Sequence, residues 1–363
     1  MRLFHRSPSV LGRSAEWIYV LCSTWFIVGL FLDGWAHNHV PELETFFTPW
    51  HAVFYSGYAL LAVTLAAIRI RSKNGFPVGY REAAIGAGVF FVGGIGDMLW
   101  HEAFGIEKNI EALFSPTHLT LAFGAVLMLA APWLATVRSS KPGTSLSQQL
   151  PAILSLTYAA ASVMFLTQFH HWTDLRLIGD LPAENVAELS QAVAMAGYLW
   201  HVGILMAAAI LLLRTLPYTL GMLTILFFLT TVGMAIMRQW SFWDAVPLAC
   251  IAYMTGFFAD LWAETLQPIE KHLGSFRGFT AGVPASLIAL LHAYALSLHD
   301  TWWSIHLWTG AVAIAGTFTA AYPTPGPGGW QLLGTTSAAL FRVDRDHPAL
   351  IRPGDRVRFR EAR

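Results

Sequence analysis

Residues 15–36 read AEWIYVLCSTWFIVGLFLDGWA, an apolar run with an aspartate close to its end. A helix needs about 20 such residues to cross the ~30 Å hydrocarbon core of a bilayer. Of 363 residues, 55% are hydrophobic and 12% charged, about half the charged share of an average soluble protein. Ten comparable runs occur, at residues 15–36, 50–70, 81–100, 116–136, 150–169, 192–213, 217–237, 243–263, 279–298 and 303–322. The pattern predicts an all-α, polytopic transmembrane helix bundle of these ten spans, arranged as repeated two-helix hairpins.

The positions of lysine and arginine predict the orientation of this bundle. If both termini are cytoplasmic, 19 of the 22 Lys and Arg residues fall on the cytoplasmic side, and Lys108, Arg176 and Arg238 fall on the other. Positive charge concentrates on the cytoplasmic side of membrane proteins. We therefore expect an integral, multi-pass protein of a bacterial cytoplasmic membrane, in contact with the lipid bilayer. The zero net charge and the confinement of the last basic cluster to the tail predict no nucleic-acid binding.

One pattern of polar residues occurs twice among the first four predicted helices. Each copy reads D-x3-H at the end of an odd-numbered span and F-[ST]-P-x-H at the start of the next. Both copies would lie on the non-cytoplasmic side. The residues are Asp33, His37 and His51 within residues 15–70, and Asp97, His101 and His118 within residues 81–136.

The spacing of each copy brings three ligands together. An aspartate and a histidine four residues apart share one face of a helix. Thr48 and Ser115 are typical N-caps, and Pro49 and Pro116 suit the first helical position, which places the second histidine in the first turn of the next helix. One carboxylate and two imidazoles suit copper, zinc or non-haem iron, and ligand type alone does not choose among these metals.

Two alternatives remain open at this point. Aspartate, histidine and tryptophan are common at the membrane interface, so one such triad could reflect interfacial polarity alone. Two matching copies favour metal binding. The six ligands could form two separate sites or surround one dinuclear centre.

The first copy, DGWAH at residues 33–37 followed by FTPWHAVFYS at 47–56, resembles the metal motif in the C-type subunit of the particulate methane and ammonia monooxygenases. That family shows D-x3-H, twelve residues, and a second histidine within F-T-P-S-H, followed by a Phe-Tyr pair. Here the histidines are separated by 13 residues in the first copy and 16 in the second.

The resemblance implies that Asp33, His37 and His51 bind copper, and that the second triad does the same with serine in place of threonine. It also implies oxidation of a small apolar substrate with dioxygen, beside additional membrane subunits or further copies of the chain. Catalytic residues are not assigned. The alternatives are a non-catalytic copper or zinc protein for relay, storage or transport, and a structural membrane subunit.

The C-terminal sequence has a different character. Residues 322–329 read YPTPGPGG, a run of turn formers, and GGWQLLG at 328–334 and LIRPGDRVRF at 350–359 resemble the C-terminal end of the B-type subunit of bacterial 5-oxoprolinase. The last ten of these residues predict a turn that leads into a short strand. We therefore expect a transmembrane domain over 1–322 and a short cytoplasmic tail over 323–363, a fused remnant of that subunit.

Several other polar residues are weaker ligand candidates. For most of them, solvated loops, helix ends or interhelical hydrogen bonds are the simpler explanation, whereas His170 and His171 could equally extend a site, and His299 and His306 echo the repeat in fainter form. The candidates are His39, Glu102, His170, His171, His201, Asp260, Glu264, His292, His299 and His306.

Overall fold

The computed structural model describes residues 11–40, 48–104, 113–139, 143–171, 184–239, 242–267 and 273–302, with short stretches between 311 and 357. The chain divides into two compact units, Met1–Leu291 and His292–Arg363. In the first unit, the described residues form helices and no strands, which confirms the helical class of this part.

Ten α-helices occur in the described residues, and a 3-10 turn at Gln168–His170 follows the sixth. They are α1 (Arg13–His39), α2 (Pro49–Arg71), α3 (Tyr80–Phe104), α4 (Pro116–Leu129), α5 (Ala131–Val137), α6 (Leu146–Phe165), α7 (Glu184–Thr215), α8 (Met222–Arg238), α9 (Phe242–Leu266) and α10 (Leu273–Trp302).

Five of the described helices are long and apolar enough to cross a membrane: α1, α2, α3, α7 and α9. Helices α4 and α5 meet at an angle of 44° and add a sixth candidate if they form one broken span. Helix α8 is apolar but shorter, with 17 residues. A membrane protein is therefore plausible, while the predicted number of ten spans and their hairpin arrangement are not confirmed.

Helix α6 is not among these candidate spans, and it lies at the centre of the bundle. It packs against α1, α4, α5, α7 and α8, and most of its side chains are buried. Buried Gln149 donates hydrogen bonds to the carbonyls of Gly143 and Pro217, and buried Ser155 donates one to Leu129. A helix enclosed by protein can carry polar groups that a lipid-facing helix cannot, because its neighbours satisfy them.

Glycines set the distance between α1 and α2. A Cβ atom on Gly29 would lie 2.7 Å from Phe54 Cα, and one on Gly57 would lie 2.6 Å from Phe26 Cα. The two backbones therefore touch at this crossing, in the small-residue manner common to membrane helices. The Phe26 and Phe54 rings pack beside it, with centroids 5.0 Å apart.

The contact between α3 and α4 uses residues at corresponding positions. A Cβ atom on Gly93 would lie 3.1 Å from the Leu121 backbone nitrogen, and one on Gly124 would lie 2.7 Å from the Phe90 nitrogen. Gly93 precedes Asp97 by four residues, as Gly29 precedes Asp33. Both helix pairs thus cross closely at the same distance in sequence from their aspartates.

An aromatic cluster joins the two helix pairs. Phe90 of α3 lies 5.3 Å from Phe26 and 5.7 Å from Phe54 between ring centroids, and it stacks on Tyr58 at 4.8 Å. The Tyr58 hydroxyl donates a hydrogen bond to the carbonyl of Ala87. These contacts hold α3 against α1 and α2.

The second unit contains an antiparallel sheet of three short strands, β1 (Ala311–Ala315), β2 (Phe318–Ala321) and β3 (Gln331–Thr335), in the order β2-β1-β3. The predicted tenth span, 303–322, is therefore wrong over residues 311–315 and 318–321. A short apolar run does not distinguish helix from strand, and pairing with the distant β3 decides for strand here. The expected boundary at 322/323 accordingly falls inside the second unit. Most of the strand expected at 350–359 lies outside the described residues.

The glycine crossing predicts a sharp difference between two conservative substitutions. Gly57→Ala should lower the free energy of unfolding by about 1–3 kcal/mol, because the added methyl group meets the α1 backbone. Gly88→Ala should cause no loss, since nothing lies within 4 Å of that position and alanine favours a helix. Thermal unfolding of the detergent-purified variants measures both effects. Equal midpoints would contradict the close crossing.

Candidate metal sites

The first triad lies where α1 ends and α2 begins. Asp33 and His37 occupy the last turns of α1, and the Thr48 side chain caps α2 by accepting a hydrogen bond from the backbone nitrogen of His51 at 3.1 Å. Pro49 follows as the first helical residue. The predicted cap is confirmed, and it places His51 opposite the end of α1.

The three side chains of this triad converge on one point. Asp33 Oδ2 lies 3.8 Å from His37 Nε2 and 3.5 Å from His51 Nε2, and the two imidazole centroids are 5.6 Å apart. One ligand atom from each residue lies within 4.8 Å of the others. Tetrahedral bonds of 2.0–2.2 Å would place ligand atoms about 3.3–3.6 Å apart, so only small side-chain movements would be needed to surround an ion.

The second triad repeats this geometry between α3 and α4. Asp97 Oδ1 lies 3.6 Å from His101 Nε2 and 3.5 Å from His118 Nε2. Ser115 caps α4 by accepting from the His118 backbone nitrogen, and its hydroxyl also lies 2.8 Å from His118 Nδ1. The Thr117 hydroxyl donates to Asp97 Oδ1. The contact at His118 Nδ1 leaves Nε2 as the atom that faces Asp97, and hydrogen bonds of this kind orient metal ligands.

The six residues form two separate groups of three ligand atoms. Each group takes its three atoms from one helix pair, α1 with α2 or α3 with α4. The Tyr55 ring of α2 lies 6.2 Å from the His51 ring. Two separate sites therefore fit the geometry better than one shared centre.

Both aspartates are buried without a cationic side chain beside them in the described part of the chain. The side chain of Asp33 is 12% exposed and that of Asp97 is 3% exposed, and only histidines contact them as ionisable partners. Asp33 Oδ1 accepts no hydrogen bond from any described residue. A buried carboxylate in this position is costly unless a positive charge compensates it. The donor set and its charge therefore fit a metal cation.

Each triad also has one accessible histidine. The side chains of His37 and His118 are 33% and 26% exposed, whereas those of His51 and His101 are 9% and 5% exposed. A metal ion or a small molecule could therefore reach each triad on the side of its more exposed histidine.

The weaker candidates do not join either triad. Glu102 is exposed, and His39 contacts its own helix, with Nδ1 2.8 Å from the carbonyl of Trp35. His292 is exposed. The side chains of His299 and His306 lie outside the described part of the structure.

His201 makes the interhelical hydrogen bond expected of it. It is fully buried, and its two ring nitrogens lie 2.7 Å from the carbonyl of Gly197 and 2.9 Å from the Thr167 hydroxyl. Its ring packs against that of buried His171 at 4.5 Å. Burial, reinforced by His201 and Arg238, holds the pKa of His171 well below its usual range, so this histidine is neutral at physiological pH.

A buried polar network beside the first triad was not predicted. Arg238 of α8 donates to Asn38 Oδ1 at 2.7 Å, and Asn38 Nδ2 donates to Gln168 Oε1 at 2.9 Å. Arg238 also lies over the Phe169 ring, 5.0 Å from its centroid. Asn38 directly follows His37, so the network anchors the end of α1 that carries the first triad. The only sequence signal was an arginine at the expected non-cytoplasmic end of a span.

Asp260 was expected at a solvated helix end, and this prediction is wrong. It is fully buried, and it accepts hydrogen bonds from the backbone nitrogens of Gly221, Leu223 and Thr224 and from the Thr224 hydroxyl. These donors form the start of α8, which Gly221 enters with a φ of 97°. Asp260 of α9 therefore caps the neighbouring helix, a tertiary contact that sequence spacing does not reveal. Glu264 is exposed, as expected.

Replacing this cap should destabilise the bundle. Asp260→Ala leaves the buried donors at the start of α8 without their acceptor, a loss on the order of 3 kcal/mol in the free energy of unfolding. Glu264→Ala, one turn later and exposed, is the matched control and should unfold like the unmodified protein. Thermal unfolding in detergent compares the two. An unchanged midpoint for Asp260→Ala would show that the cap is dispensable.

Comparison with known proteins matches only the C-terminal region. Residues 304–351 match the family described as carboxyltransferase domain, subdomain C and D. The chain is similar to the B-type subunit of 5-oxoprolinase from Escherichia coli O157:H7, with 58% identity over 50 residues, or 14% of this chain and 23% of that protein. The corresponding 5-oxoprolinase subunit from Bacillus subtilis is 54% identical over 50 residues, or 14% and 21%. No solved structure matches the chain.

The expected resemblance of the tail is thus confirmed, and it begins upstream of the predicted linker. The chain spans less than a quarter of the length of these two relatives. The resemblance of the first triad to the monooxygenase subunit finds no support in these comparisons.

Proposed function

We propose that the helical part of this chain is an integral membrane protein that binds two metal ions, one at each triad. The observation that carries the proposal is the convergence of one carboxylate and two imidazoles, twice, with the ligand atoms of each set within 4.8 Å of one another. Two buried aspartates without cationic neighbours among the described residues supply the negative charge that such ions require.

We assign copper to both sites. Nitrogen and carboxylate donors bind copper more tightly than the other divalent first-row metals. The motif around Asp33, His37 and His51 resembles that of a copper-binding membrane subunit, which supports the same choice. Zinc and non-haem iron are the alternatives that metal analysis distinguishes.

The proposed activity is oxidation of a small apolar substrate, for which bound copper would supply the activation of dioxygen. The protein would contribute position and access. Leu99, Phe114 and Leu119 lie close in sequence to the second triad and are 58%, 48% and 44% exposed. These side chains face outward from the helices, so an apolar molecule dissolved in the bilayer could approach the partly exposed His118 without crossing water.

The membrane orientation belongs to the same proposal. His51 lies at the start of α2, and Arg69 and Arg71 lie at its end. Positive charge marks the cytoplasmic side, so the triads would face the opposite side. We assign no 5-oxoprolinase activity to the C-terminal segment, because less than a quarter of the two compared relatives is represented in this chain.

Two substitutions should remove the metal in two separate steps. His51→Ala and His118→Ala each leave two ligands, too few to hold copper against water and buffer, so each should lower the copper content by about half. The double variant should retain almost none. Elemental analysis of the detergent-purified full chain measures copper per chain.

The matched control is His39→Ala, which removes a histidine near the first triad that is not one of its ligands. It should retain the full copper content. Loss of all copper in either single variant would indicate one dinuclear centre. Full copper in the double variant would overturn the metal sites altogether.

Catalysis is tested separately from binding. The copper-loaded protein in lipid vesicles should consume dioxygen when given an electron donor and a short alkane, and His118→Ala should reduce this rate at least tenfold. Oxygen electrode readings and product analysis measure the reaction. Copper binding without any oxygen consumption would point to a relay or storage protein.

A further inference from the structure

A groove lies between the start of α1 and the end of α2, at the opposite end of these helices from the first triad. Its volume is about 430 Å³, and its walls include Ile18 from α1, Val63, Ala67 and Ile68 from α2, and the cations Arg71 and Lys73. The small residues Gly12, Ala15 and Ala67 also line it.

The groove combines two kinds of surface. Its apolar part is open to the surroundings, since Ile18 is 54% exposed and Val63 is 67% exposed. Its rim carries Arg71 and Lys73, both exposed, and neither forms an ion pair with a described carboxylate. Neither Asp nor Glu contributes to the lining. The local charge is therefore positive at one end of the apolar groove.

We propose that this groove binds an anionic phospholipid. One acyl chain lies along Ile18, Val63 and Ala67, and the phosphate contacts Arg71 and Lys73. The arrangement follows from the placement of the helices in a bilayer, where cations at a helix end lie at the depth of the headgroups. The proposal depends on that membrane placement and is independent of the metal sites.

The charge at the rim selects the occupant. Two neighbouring cations favour a lipid with net negative charge over a zwitterionic lipid, each contributing about a fivefold increase in affinity for anionic headgroups. Phosphatidylglycerol satisfies both parts of the groove, while inorganic phosphate satisfies only the rim.

Native mass spectrometry of the full chain in detergent tests this site, with dioleoyl phosphatidylglycerol as the probe. The double substitution Arg71→Gln with Lys73→Gln should weaken the tightest phosphatidylglycerol binding about twenty-five-fold, because each lost cation lowers the affinity about fivefold. Arg69→Gln is the matched control, because Arg69 is an exposed arginine of the same helix end that does not line the groove. It should change the affinity less than twofold.

A second variant tests the apolar part without altering charge. Ala67→Trp fills the groove and should weaken phosphatidylglycerol binding at least tenfold while both cations remain. Dioleoyl phosphatidylcholine should bind more weakly than phosphatidylglycerol, and millimolar inorganic phosphate should not displace the bound lipid.

Three results would overturn the proposal. They are unchanged binding in the double charge variant, unchanged binding in Ala67→Trp, and displacement of the lipid by inorganic phosphate alone. The last result would reduce the site to a simple anion contact at the rim.

Discussion

The close crossing of α1 and α2 at Gly29 and Gly57 positions the rest of the first site. Added Cβ atoms there would lie 2.7 and 2.6 Å from the opposite backbone, so no larger residue fits without moving a helix. Gly29 lies one helical turn before Asp33, and Gly57 lies less than two turns after His51. A crossing this near to the ligands determines how far the carboxylate stands from the histidine of the neighbouring helix.

The same constraint operates between α3 and α4. A Cβ atom added to Gly124 would meet the Phe90 backbone. The aspartate of each pair lies 3.5 Å from the histidine of the next helix, Asp97 from His118 and Asp33 from His51. Similar crossings and similar ligand distances thus occur together in both pairs. The caps at Thr48 and Ser115 complete the arrangement, because each helix begins with its histidine already turned toward the preceding helix.

Polar contacts hold the surrounding helices at both ends of the bundle. Arg238 and Asn38 join α8 to the end of α1, and Asp260 caps α8 from α9. Because these groups are buried, removing one partner leaves the other unsatisfied, which costs more free energy than the intact contact contributes. Helix α6 completes the interior with polar side chains whose partners lie on other elements.

The sequence by itself determined the local features of this protein. Hydrophobic runs of about 20 residues identified most of the long helices, since membrane spanning is a property of consecutive residues. The i, i+4 spacing of Asp33 and His37 and the Thr48-Pro49 cap predicted how one triad forms, because both depend on helix geometry alone. The tail motif was likewise recognisable from its residues.

Tertiary structure decided what depends on distant partners. Residues 311–315 became a strand because β3 pairs with them, and an apolar run contains no information about that pairing. Asp260 is a buried cap because α8 begins beside it. Arg238 donates a hydrogen bond to Asn38, which lies 200 residues away in the chain. The separation of the six ligands into two groups was also left open by the sequence, since only the packing of helix pairs sets the distance between them.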